Sequence, residues 1–199
     1  MPSSVLPEAK LSAIENLLEK TESNLKKIQI TGEVFVLPVL NQWQYATRHM
    51  FLVLKGDAPE RELSCVFTHL RRAYADSCDV LLTLKIEKAH AFIKRYNGVW
   101  PGLLNPEVFK TYVEAMYSGA AMQRDGNQFS PEDQVLPSRL DRMEATIAKM
   151  DACEKELQCF EPELEYALGR MRWRFAINIV MSILTMVAVA LSVYSTLGR

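Results

Sequence analysis

His49 and His69 are the residues whose chemistry stands out. Arg48 adjoins the first and Arg72 follows the second, with Asn41, Tyr45, Tyr74 and Asp76 spaced around them along two apolar-periodic segments. An imidazole exchanges protons near neutral pH and a guanidinium grips phosphate, so Arg48, His49, His69 and Arg72 could form a ligand pocket or a ribonuclease-like site. The same residues suit a hydrogen-bonded core network with solvated arginines, because buried polar groups in helical domains are satisfied that way. Either arrangement requires the two segments to pack antiparallel across a short turn at Gly56. One specific signature is missing: HEPN-type ribonucleases carry an arginine, four residues and a histidine, and no histidine here has an arginine at that distance.

Other catalytic classes find no support. No nucleotide loop, nucleophile elbow or paired-histidine metal motif occurs, and the 8 glycines are dispersed. Cys65, Cys78, Cys153 and Cys159 fit neither a zinc site nor a redox pair, and reduced thiols are expected. From these missing motifs no metal or cofactor is expected, and with 23 Lys+Arg against 24 Asp+Glu the chain has no electrostatic footprint for nucleic acid, so no DNA partner is expected.

The elements that must position the histidines read as helices throughout, since no stretch alternates as a strand for more than a few residues. A first helix covers Glu8 to Ile30, with Leu11, Ile14, Leu18, Leu25 and Ile28 on one stripe, and Thr31-Gly32 ends it. Val34 to Leu40 has strand composition, but Pro38 and the lack of a partner favour a helix from Pro38 to Lys55. Gly56-Asp57-Ala58-Pro59 is a turn, and a long helix from Glu60 to Tyr96 follows, stopped by Asn97 to Gly102. A fourth helix starts at Asn105-Pro106-Glu107 and reaches Arg124. Residues 1–124 thus form a helical domain. Gly126, Pro131 and Pro137 mark 125–137 as a linker.

Residues 138–174 carry a narrower pattern and read as an amphipathic or coiled-coil stalk. Leu136, Leu140, Met143, Ile147, Met150, Glu154, Leu157, Glu161, Leu164, Leu168, Met171 and Phe175 recur at spacings of four and three, with the two glutamates as exceptions. A helix folding back on the domain gives the same stripe, and Pro162 restarts the helix in either case.

Phe175 to Leu197 is a run of 23 residues without charge or proline. As one helix it reaches about 34 Å, against a hydrocarbon core of about 30 Å, which predicts a transmembrane helix. Arg170, Arg172, Trp173 and Arg174 before it, and Tyr194 near its end, fit interfacial anchors, and the arginine excess places the N-terminal domain in the cytoplasm. Met1 to Lys10 has no apolar leader, so a tail-anchored, single-pass membrane protein is expected, in the inner membrane if the source is bacterial. The stalk spacing continues into Asn178, Ser182, Thr185, Val189, Ser192 and Thr196. That small polar face suits helix–helix contact or a weakly selective pore, although serine and threonine also bond back to their own backbone.

Asn41-Gln-Trp-Gln-Tyr45-Ala-Thr-Arg48-His49, with His69-Leu-Arg-Arg-Ala-Tyr74-Ala-Asp76, resembles small helical, membrane-anchored accessory proteins of bacterial antiviral systems. The resemblance implies a membrane effector switched on by infection, through oligomerisation or a nucleotide or RNA signal. Leu52 to Asp57 matches part of a death-regulator helix motif, but the Asn-Trp-Gly-Arg helix start of that family is missing and Pro59 interrupts the segment. Three functions stay open. The chain is an effector or scaffold that oligomerises through stalk and anchor, a passive tether for a cytosolic partner, or a membrane-bound enzyme acting on RNA through the His/Arg cluster.

Overall fold

The computed structural model describes residues 8–31, 36–126 and 136–197, excepting the side chains of Thr31, Asp125, Gly126, Leu136, Pro137 and Ala188–Leu197. Most of the expected linker therefore lies outside the described residues. The described residues form six helices and the turns between them: α1 (Glu8–Thr31), α2 (Leu37–Lys55), α3 (Pro59–Arg95), α4 (Pro106–Gly126), α5 (Leu136–Cys159) and α6 (Glu161–Leu197).

Local signals set the helix limits. Pro38 lies in the first turn of α2, where a missing N–H is harmless. Gly56 ends α2 at φ +82°, donating its N–H to Val53 O while Asp57 N–H reaches Leu52 O; this pairing closes a helix when a left-handed residue follows it. Pro59 opens α3 and Pro106 opens α4 in the same way.

Helix α3 is the axis of the molecule, 37 residues and about 55 Å long. On it pack α1 and α2, and beyond them α4 and α5, which also pack on each other. Two apolar clusters result. The larger joins Ile28, the C-terminal half of α3, the loop residue Leu104, and α4, α5 and the first turns of α6. The smaller joins Ile14, Ala46, Val53, Leu63, Val66 and Leu70 from α1, α2 and the N-terminal half of α3. Gly119 lets α4 approach α3: a Cβ there would lie 2.9 Å from Leu82 Cδ1 and 3.2 Å from Ile86 Cδ1.

The stripe of 138–174 faces inward over most of its length. Leu140, Met143, Ile147, Met150, Leu157, Leu164 and Leu168 are buried in the larger cluster of the same chain. Glu154 interrupts the stripe because charge sits opposite it: Lys85 Nζ lies 2.8 Å and Lys88 Nζ 2.9 Å from its Oε2, and Tyr112 Oη donates to Oε1 at 3.3 Å. Asp151 completes the group, 2.5 Å from Lys85 and 3.1 Å from Lys27. Burial opposes the charge of Lys85, but the hydrogen bonds it donates to Asp151 and Glu154 outweigh it and hold its pKa above the ordinary value. Glu161, the other exception, accepts from Tyr96 Oη at 3.4 Å.

One expectation is overturned. Among the described residues no helix is long and apolar enough to cross a membrane, so the transmembrane helix Phe175–Leu197, the tail anchor and the single-pass membrane localisation do not stand. Within the residues whose side chains are described, the uncharged part of α6 is Phe175–Val187, and extending it backwards takes in Arg174, Arg172 and Arg170. The all-helical class holds among the described residues. Tyr194 lies outside the described side chains.

Candidate functional site

The antiparallel packing of α2 on α3 brings His49 and His69 together. Their rings stack with centroids 5.2 Å apart and planes 15° from parallel, and Tyr45 leans on His69 at 5.4 Å. Each Nδ1 is held: His49 donates to Glu62 Oε2 at 2.6 Å, and His69 donates to Gln42 Oε1 at 2.8 Å. Both pairs are symmetric about the Lys55–Gly56 junction, as an antiparallel hairpin requires. Reflecting each histidine through that turn would have found Glu62 and Gln42, which sequence reasoning missed.

The other residues of the cluster scatter. Arg48 is exposed, and Arg72 is half-buried close enough to His69 to act on its charge. Burial first, then His49 and Arg72, lower the pKa of His69, since all three disfavour a second positive charge. Burial, followed by the neighbouring Asp79, raises the pKa of Asp76, with Arg72 opposing. Tyr74 turns the other way, into the larger core, where the Lys20 ammonium sits 5.3 Å from its ring. Asn41 is exposed.

This geometry suits a fastening between two helices better than a reaction centre. Acid and base imidazoles must flank a substrate, whereas these rings pack against each other. Their Nε2 lone pairs lie in two nearly parallel planes, so a single ion cannot sit in both. Among the described residues no group of three or more His, Cys, Asp or Glu could hold a metal ion.

The second candidate feature is α6. Its base is fixed to the bundle by Leu164 and Leu168, by Arg95 Nη2 at 2.7 Å from Glu165 Oε1, and by hydrogen bonds from Tyr96 Oη to Glu161 and Glu165. Past Leu168 its described side chains are exposed, and among the described residues its one close backbone approach is to α5. Trp173 and Phe175 are each 68% exposed, and Ile177, Ile179, Val180, Met181, Ile183, Leu184, Met186 and Val187 are uncovered too. Within the expected polar stripe, Ser182 Oγ donates to Asn178 O and Thr185 Oγ1 to Met181 O, both at 2.8 Å, so these hydroxyl protons are used inside the helix. The Asn178 side chain is exposed, and Ser192 and Thr196 lie outside the described side chains.

No protein-family model, curated protein or solved structure matches the chain.

Proposed function

We propose that this protein is a non-enzymatic scaffold that associates with copies of itself through the uncovered part of α6. The observation that carries the reading is an uncharged and mostly apolar helical segment, Phe175–Val187, whose large side chains are uncovered by its own bundle. A helix of that composition is stable when its surface is covered, and a short one is marginal in water by itself. The run holds no charge, so a charged or polar partner surface would lose hydration without compensation. Residues at the same spacing as the buried Leu164 and Leu168, namely Met171, Phe175 and Asn178, continue along α6, the periodicity with which helices of separate chains pack. Covering four large side chains contributes roughly 6–12 kcal/mol, comparable with the cost of association, so assembly is expected to depend on concentration. That dependence is what an effector controlled by oligomerisation needs, the role implied by the antiviral resemblance.

The test compares the full chain with a Val180→Glu, Ile183→Glu variant by gel filtration with light scattering. Both positions are 55% exposed, so the fold should survive, which circular dichroism would verify. Wild type should elute as an oligomer and the variant as a monomer. Equal masses for both, or wild-type monomers that instead bind phospholipid vesicles, would defeat the proposal.

A further inference from the structure

A groove runs along the smaller of the two cores. Helices α1 and α2 both pack on α3 but not on each other, so three positions of a four-helix arrangement are filled and the fourth is open among the described residues. Val66 and Leu70 of α3 form its floor, and Ile14 and Leu18 of α1 face Met50 and Leu54 of α2 across it. Its free volume is about 350 Å³, and none of its lining residues is charged. Leu54 is 78% exposed and Phe51 58%, much more than a finished core edge would leave.

Resting on the self-association proposed above, we infer that this groove receives the Phe175–Val187 segment of α6 from a second copy of the chain. Three observations fit that occupant. Length suffices: the wall of α2 from Trp43 to Leu54 spans about 17 Å, and the uncharged run of α6, which begins at Phe175 and passes Val187, is long enough to cover it. Charge agrees, because no residue lining the groove and none of Phe175–Val187 is charged, the Lys55 ammonium lying over the Phe51 ring at the rim. Topology makes the contact intermolecular, since α6 joins the bundle at the Arg95 end of α3, through Glu165, whereas α2 packs on the N-terminal half of α3. Two different surfaces then meet, so the interface is heterologous and propagates head to tail, giving rings or open chains in place of a closed pair.

Two disabled full-length variants decide it. One carries Phe51→Glu and Leu54→Glu in the groove; the other carries Val180→Glu and Ile183→Glu on α6. Each alone should be monomeric, with wild-type helicity. Mixed in equal amounts, they should form a dimer and nothing larger, because the intact α6 of the first enters the intact groove of the second. Leu18→Glu on the opposite wall should behave as the first variant does, which guards against a local folding defect at Leu54. If the groove variants assemble like wild type, the groove is not the docking site, and α6 meets another α6 while self-association stands. A mixture that remains monomeric overturns the inference as well. Monomeric wild type would remove the self-association reading itself.

Discussion

Glu154→Leu restores the apolar stripe of α5 and should nevertheless destabilise the protein. Glu154 is only 7% exposed and holds the ammonium groups of Lys85 and Lys88 together with the Tyr112 hydroxyl. Removing one partner of a buried ion pair costs about 3–5 kcal/mol. The lower end applies, because Lys85 keeps Asp151 at 2.5 Å and Lys88 is half in water. Depriving Tyr112 of its acceptor adds about 1 kcal/mol, and the new leucine returns about 2 kcal/mol of burial. The net loss is about 2–3 kcal/mol, which lowers the melting temperature by roughly 5–10 °C for a chain of this size. Urea and thermal unfolding, followed by circular dichroism, measure it. Adding Lys85→Met to the same chain should recover most of the loss, since an apolar pair replaces a buried ionic one at little cost. A single Glu154→Leu variant at least as stable as wild type would refute the reasoning, because the glutamate would then be no more than a flaw in the stripe.

Three further outcomes follow from the packing. Gly119→Val should lower stability by about 1–3 kcal/mol in urea unfolding, because its side chain must displace the buried Leu82 and Ile86. Gly56→Ala should cost about 1 kcal/mol by the same measurement, since φ +82° strains any residue with a Cβ. His69 makes stability depend on pH. Its pKa in the folded protein is below 6.5, so on acidification the unfolded chain binds the proton first; its contribution is complete above about pH 6.5 and is lost as the pH falls through the folded value. Subtracting the unfolding free energies of a His69→Gln variant isolates this from Asp76 and Asp79, whose raised pKa values act in the opposite direction. A difference between the two proteins that stays constant from pH 7 to pH 5 would contradict it.

The fold was legible where local chemistry decides it. Glycine at 56 and prolines at 38, 59 and 106 marked helix limits to within a residue or two, and the apolar spacing gave helix throughout. The histidine pair was visible as soon as two helices were joined by a four-residue turn, because an antiparallel hairpin has one register. The long-range pairings were not legible. Lys85 lies 69 residues from Glu154, and nothing near either residue announces the other. The stripe of α5 looked the same whether it served another chain or its own core, since periodicity records an apolar face without naming what covers it. The apolar run at the end of α6 misled for a related reason. Its composition alone suggested a lipid environment, whereas among the described residues no helix is long and apolar enough to cross a membrane, and the bundle has a groove lined by uncharged residues.

Hydrogen exchange on the amides of Phe175–Val187, measured on the full chain across a hundredfold range of concentration, tests self-association through α6 most directly. If copies cover this segment, its amides should be protected at high concentration and exchange much faster on dilution, while the amides of α3 stay unchanged. Exchange in Phe175–Val187 that is equally fast at every concentration would show that nothing covers the helix, and would contradict the proposed scaffold.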